Sequence, residues 1–293
     1  MLKISSILPH NIILRGGPTS GWYSPPKGTH TGAEHRKVGS GKATADGKPV
    51  GKVETVPIEH GLGSSVTKVD GTPEPGANVS FLVTHEDGTR GIFKPADGTK
   101  IGWYESEIVA YQIDKSLGWG LVPETIETTL EGKVGSEQRW IEGGSSGMEL
   151  EFDKGPDALR SDLRGVAMDY IRMTCLDDFI SNPDRHNGNY LLDKSGKLWA
   201  IDNGASYIAD KNEPFINQIF SPYDNAYMRR TGYISRDTGL STGQVRVMRR
   251  SAYKEIVAWT RTDAYLDVVD KMSPHARKNL DISTRALRKY YGD

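Results

Sequence analysis

Asp184, Asn189 and Asp202 are the residues from which the chemistry of this chain can be argued. The stretch "NPDRHNGNYLL", residues 182–192, places an acid, a base, an imidazole and several amides just before an apolar run. Tyr190-Leu191-Leu192 and Leu198-Trp199-Ala200-Ile201 are short apolar strands, and Asp193-Lys194-Ser195-Gly196-Lys197 is the turn between them. A hairpin brings its open ends together. Asn189 and Asp202, 13 positions apart, are therefore expected to be neighbours in space. One amide oxygen and one carboxylate at the mouth of a hairpin can hold a hard cation such as Mg²⁺, which leaves its other positions to water and phosphate. Asp184, on the same loop, can accept the proton of an attacking hydroxyl or orient that hydroxyl. His186 has two equal readings, an aid to proton transfer or a structural hydrogen-bonder. Arg185 is expected to anchor a nearby carboxylate.

The surrounding elements must position these groups. Val79–Thr84 and Arg90–Lys94 are expected as strands joined by a turn at His85–Thr89, with Asp-Gly as its signal and Pro95 closing the second strand. Apolar residues at Ile108, Tyr111, Ile113 and Leu117 predict a helix over 104–117, stopped by Gly118. Residues 122–130 and 138–141 are expected as further strands, before a break at Gly-Gly-Ser-Ser-Gly, 143–147. One long helix is expected from 156 to 180, ended by Asn182-Pro183. At least two more helices are expected near 243–260 and 274–290. Strands first and helices later suggest two lobes with a cleft between them. Trp140 and Trp199 are expected in the core.

Composition narrows the class. The chain has 293 residues, 36% of them hydrophobic and 26% charged, with a formal net charge of −1. No run of 18 apolar residues occurs, so no membrane span is expected, and the start makes a poor signal peptide. The single cysteine, Cys175, excludes an internal disulfide and a cysteine metal cluster, and fits a reducing, cytoplasmic setting. H-E-x-x-H and C-x-x-C are absent. From Met228 to Asp293 there are 14 Lys and Arg against 7 Asp and Glu. Solvated helix faces are the expected reading of that basic end, an acidic partner or a membrane surface is the alternative, and no nucleic-acid partner is expected. Residues 12–52 are about one-third Gly and Pro without a period, which is the composition of a flexible arm. The stretch at 16–41 is loosely similar to Gly-rich segments of phage head and portal proteins.

The spacing Asp-x-x-x-x-Asn followed by Asp-x-Gly resembles the catalytic loop and metal-binding motif of the protein-kinase fold. The spellings "DRHNGN" and "AIDNGAS" resemble the phosphatidylinositol 3-/4-kinase superfamily, and look closest to its type II phosphatidylinositol 4-kinase branch. "GIFKPADG" around Lys94, "YESEIVAYQIDKSLGWGLVP" at 104–123 and "RWIEGG" at 139–144 are similar to that branch in the same order, so the resemblance spans about residues 70–205. It implies that Lys94 holds nucleotide phosphates, that Glu107 (rather than Glu105) pairs with it, and that the backbone near Glu142 forms the adenine hinge. The implied nucleotide set is Lys94, Glu107, Ser80, Ile141, Glu142 and Gly143. Asn189 and Asp202 would take the metal, and Asp184 and His186 would be catalytic. The chain departs from the pattern in three ways. Asn203 stands where most protein kinases have Phe. No G-x-G-x-x-G occurs, so 71–78 would have to cover the phosphates. One Cys cannot supply the palmitoylated cluster of the type II lipid kinases.

The expected fold is α+β and bilobal, protein-kinase-like, with a small antiparallel β N-lobe and a mostly helical C-lobe. The expected boundaries are an arm at 1–56, an N-lobe at 57–143 and a C-lobe at 144–293. The expected activity moves the γ-phosphoryl group of ATP, with Mg²⁺ or Mn²⁺, to a hydroxyl on a protein, an inositol lipid or a small polyol. Two alternatives stay open: an inactive kinase-like binding module of a larger, phage-type assembly, and an enzyme of this fold that transfers AMP.

Overall fold

Alternation along the third strand decides where the chemistry of this fold can sit. In the computed structural model, β3 (Arg90–Pro95) buries Gly91, Phe93 and Pro95 and leaves Arg90, Ile92 and Lys94 half-buried on its other face. Successive side chains of a strand point to opposite sides, so the Phe93 face packs inward while Lys94 faces elsewhere. The structure describes residues 62–70, 79–98, 104–206, 220–223 and 225–292. The chain divides into two units, Met1–Thr55 and Val56–Asp293, and every described residue belongs to the second. The expected arm at 1–56 and the loop at 71–78 lie outside the described residues.

β1 (Val66–Asp70), β2 (Phe81–His85), β3, β4 (Thr125–Leu130) and β5 (Lys133–Arg139) form one antiparallel sheet in the order β1-β2-β3-β5-β4. Lys94 is opposite Ser136 in the β3–β5 ladder. The expected strand at 122–130 begins only at Thr125, because Pro123 has no N–H to give a ladder and the Val122 N–H goes to the Asp114 side chain. The expected strand at 138–141 instead ends at Arg139. Helix α1 (Tyr104–Leu117) has the expected bounds, with Glu105 and Glu107 in the first turn, where acids suit the positive end of the helix dipole. It stops at Gly118, whose φ of 72° is cheap only for glycine.

A second sheet has the order β6-β7-β8: β6 (Ser145–Ser146), β7 (Tyr190–Leu192) and β8 (Leu198–Ala200). The β7–β8 hairpin is the one expected. The glycine-rich break at 143–147 proved to contain β6 and a helix start. Ser146 caps α2 (Gly147–Lys154) in a capping box with Glu149.

The single long helix expected over 156–180 is two helices, α3 (Pro156–Gly165) and α4 (Ala167–Ile180). Gly165 and β-branched Val166 are weak helix formers, and Val166 leaves helical geometry at φ −115°, ψ 29°. Most of helix α4 is buried. Ile171, Met173, Cys175, Leu176, Phe179 and Ile180 are each at most 1% exposed, so α4 is the centre of the helical core. It ends at Ser181 in the left-handed region, whose N–H bonds the Asp177 carbonyl. The chain closes with α5 (Asn225–Thr238), α6 (Thr242–Trp259), α7 (Asp263–Asp270) and α8 (Pro274–Tyr291). Helices α6 and α8 match the expected pair; α5 and α7 were not anticipated. The class is α+β, with a five-stranded antiparallel sheet and eight α-helices among the described residues.

Candidate active site

Lys94 joins three parts of the chain. Its Nζ donates to Glu107 Oε1 at 2.5 Å and to Asp202 Oδ1 at 2.8 Å. The other Glu107 oxygen, Oε2, accepts the backbone N–H of Asn203 at 2.9 Å. Strand β3, helix α1 and the segment after β8 are thus tied by one ammonium and one carboxylate. The Lys94 side chain is 17% exposed and that of Glu107 2%. Burial alone would push the Lys94 ammonium down, but the carboxylates of Glu107 and Asp202 beside it outweigh that and hold it above its ordinary 10.5. The Lys94 charge in turn holds the Asp202 carboxyl below the usual carboxylate range, against the effect of burial. Asp202 has φ 55°, a left-handed conformation that Asp tolerates better than most side chains.

The loop between α4 and β7 is organised by Arg185. Its guanidinium grips the fully buried Asp177 in fork geometry, Nε to Oδ2 at 3.0 Å and Nη2 to Oδ1 at 2.9 Å. Its Nη1 donates to the Ile201 carbonyl at 2.7 Å and also to the Asn189 carbonyl, and Nη2 reaches Asn203 Oδ1 at 2.6 Å. Arg185 therefore anchors a carboxylate, as expected, and also fastens both open ends of the hairpin. The Ile201 N–H bonds the Asn189 carbonyl at 3.1 Å, so the hairpin brings Asn189 beside the residue that precedes Asp202. Asn189 is 5% exposed, and its Nδ2 donates to the Asp184 carbonyl at 2.8 Å. Asp184 is exposed to solvent on one side. Partial burial still pushes its carboxyl above the ordinary range, with His186 opposing and the Asp202 charge adding. His186 is exposed, and its Nδ1 accepts the Gly188 N–H at 3.0 Å. That bond assigns a structural role to Nδ1 and leaves Nε2 as the proton-bearing nitrogen of the neutral ring.

The remaining expected residues divide. Ser80 is exposed just before β2. Ile141 is half-buried, and its carbonyl closes a turn with the Gly144 N–H at 3.3 Å. Glu142 is exposed, and its carboxylate accepts Arg90 Nε at 2.7 Å, so its acid is engaged on the surface. Gly143 has φ 65° and lies against the Lys194 stem. Trp140, expected in the core, is instead 39% exposed, with the Arg90 guanidinium 5.5 Å over its ring. A cation partner on a partly wet face stands in for core packing there. Trp199 is half-buried between Lys197 and Asp193.

Three residues that hold the site were not singled out from the sequence. Asn203 was noted only as a departure, yet it links Glu107 to Arg185. Asp177 lies inside a buried helix without a flanking signal. Asn182 could have been found, since Asn-Pro-Asp is an Asx-turn spelling and its Oδ1 accepts the Asp184 N–H at 3.0 Å.

Asn189 and Asp202 suit a hard cation by donor chemistry. Lys94 engages one Asp202 oxygen, so the other is the candidate ligand atom. The Asn189 nitrogen is engaged by Asp184, so its oxygen is the end offered. Among the described residues no group of three or more His, Cys, Asp or Glu clusters for a metal. Two cavities, of about 580 and about 300 Å³, are lined by other described residues than Lys94, Asp184 and Asp202. The segments 71–78, 99–103 and 207–219, which adjoin the site in sequence, are outside the described residues.

No family model matches the chain. Protein Rv2133c of Mycobacterium tuberculosis is 26% identical over 163 residues, which cover 44% of this chain and 59% of that protein. The chain thus spans less than two thirds of that relative's length.

Proposed function

We propose that this chain is an ATP-dependent phosphotransferase of bilobal, protein-kinase-like architecture, similar at its site to the phosphatidylinositol 3-/4-kinase superfamily. The observation that carries the reading is the Lys94–Glu107–Asp202 arrangement beside the loop of Asp184 and Asn189. Three elements of different origin converge on one cation. A lone surface lysine has no need of a buried carboxylate partner.

In this reading β1–β5 and α1 form the N-lobe, the rest of the described chain forms the C-lobe, and ATP lies between them. Lys94, held by Glu107, pairs with the nucleotide phosphates. Asn189 and Asp202 hold Mg²⁺ or Mn²⁺, which when bound supplies charge neutralisation across the phosphates. Asp184 orients the acceptor hydroxyl and takes its proton, and its raised pKa suits a proton acceptor. The acceptor oxygen bonds to the γ-phosphorus, the bond from that phosphorus to the β–γ bridging oxygen breaks, and ADP leaves. Catalysis comes from positioning and electrostatics, with no covalent enzyme intermediate.

Incubation with γ-labelled ATP and Mg²⁺ tests this. Asp202→Asn is expected to lower phosphate transfer by about a hundredfold or more, with an unchanged circular dichroism spectrum and a cooperative melt. Wild-type turnover in that variant overturns the assignment. Label retained from α-tagged but not γ-tagged ATP would mean AMP transfer instead.

A further inference from the structure

Helix α2 turns apolar side chains to solvent beside the loop of Asp184. Met148 and Phe152, four residues apart and so on one face, are 40% and 90% exposed, while Leu150 is buried. The helix is docked on the loop at several points. The Met148 N–H bonds the Asn187 carbonyl at 2.9 Å, and Asn187 Nδ2 donates to Glu151 at 2.7 Å. Gly147 lies so close to Tyr190 that a Cβ there would sit 2.6 Å from its Cε2. At Gly188 a Cβ would meet the His186 ring at 2.9 Å and the Met148 methyl at 3.6 Å. Those two side chains therefore flank Gly188 from the same side, and Met148 at one end of the exposed face of α2 borders the loop that carries Asp184 and His186.

The rim of this face is acidic. Residues 147–154 hold Glu149, Glu151 and Asp153 against Lys154 alone, and Lys154 leans away to Asp162 at 3.8 Å. Asp184 adds a further carboxylate. Such a surface repels an anionic lipid layer and attracts basic side chains. We propose that the Met148–Phe152 face is the acceptor-docking surface, and that it takes a polypeptide segment whose accepting hydroxyl is flanked by an apolar side chain and by Lys or Arg. This rests on the phosphotransferase reading. The step is the one described above: the peptide Ser, Thr or Tyr oxygen gains the γ-phosphorus, ADP leaves with the bridging oxygen, and the hydroxyl proton passes to Asp184 and then to water.

The test uses the full chain, γ-labelled ATP with Mg²⁺, and two acceptor probes: a degenerate peptide library with a fixed central hydroxyl residue, and phosphatidylinositol vesicles. Peptides are expected to be labelled, with selection for basic and large apolar flanking residues. For a selected peptide, Phe152→Asp is expected to raise KM about tenfold with kcat at saturation within about twofold, and Phe152→Leu to recover most of the loss. Asp153→Lys should weaken the basic selection. Val247→Asp, on α6 and 71% exposed in the parent, should change neither constant. Label in vesicles but not peptides, or wild-type kinetics for Phe152→Asp, overturns the docking proposal and leaves the phosphotransferase reading standing. A concentration-dependent dimer that Phe152→Asp abolishes assigns the face to a second copy instead and also overturns it. No release of γ-phosphate to peptide, lipid or water overturns both.

Discussion

Lys94 shares one positive charge between two carboxylates, and their environments differ. Glu107 is almost wholly buried, whereas the Asp202 side chain is 43% exposed. Lys94→Met therefore strands a buried carboxylate, an effect of about 3–5 kcal/mol, while Asp202 can turn to water. Adding Glu107→Gln is expected to recover part of that loss, so a double-mutant cycle by urea unfolding at pH 7 should show strong non-additivity. Additive losses would mean the pair is not coupled. The sign with pH follows from the raised Lys94 pKa. The stability it lends is fully present below the unfolded value of 10.5 and is lost as pH climbs through the higher folded value. For Asp202 the sense is opposite: its contribution is present above 3.8 and is lost as pH falls through the depressed folded value.

Helix α1 carries a second buried carboxylate. Asp114 Oδ2 accepts the Val122 N–H at 3.0 Å, while Oδ1 is buried without a hydrogen-bond partner. The Ala200 N–H bonds the Leu121 carbonyl at 2.8 Å, so Asp114 links α1 to the segment that abuts β8. Burial pushes the Asp114 carboxyl up to about 6. The fold thus favours the protonated form. Stability present below pH 3.8 is lost as pH rises to about 6 and does not return above it. Asp114→Asn keeps an acceptor for Val122 and removes the charge. Relative to wild type, its stability should grow by about 2 kcal/mol between pH 4 and pH 8, measured by urea melts at both. A pH-independent difference would show that Asp114 does not titrate in this window. The same helix illustrates legibility: its apolar spacing and Gly118 marked both ends. The apolar spacing of α3 runs on through Val166 to Tyr170, Ile171 and Thr174 of α4, so the separation of the two helices at Val166 was hidden.

At the scale of the whole molecule, Asp178 gathers the helical core. Its Oδ1 accepts Arg230 of α5 at 3.0 Å, and its Oδ2 accepts Arg249 of α6 at 2.8 Å and the Tyr253 hydroxyl at 2.6 Å. Both Asp178 and Arg249 are 0% exposed. Asp178→Ala leaves a guanidinium buried without its counter-charge, a loss of about 3–5 kcal/mol, seen as a lower melting temperature. Asp178→Leu with Arg249→Met should lose less than Asp178→Ala alone, because an apolar pair needs no compensation in a dry core. An equal or greater loss in the double variant would contradict that account. Asp178 has no sequence signature, since an acid in an apolar helix reads as an exposed residue until its partners are known.

The amino-acid order alone determined the local pieces. Hairpin chemistry at 190–201, the Asp-Gly turn after β2, the bounds of α1 and the positions of α6 and α8 are each encoded within one short contiguous segment, through periodicity, turn residues and caps. Residue types and spacing also singled out Asp184, Arg185, Asn189 and Asp202, and the resemblance to a kinase family added Lys94 and Glu107. Only the tertiary structure decided which of them meet. Lys94 and Asp202 are 108 positions apart, and nothing local links them. The role of Asn203, the surface placement of Trp140 and Glu142, and the exposed Met148–Phe152 face were likewise beyond local reading. Burial is set by what folds against a residue, and those neighbours come from distant parts of the chain.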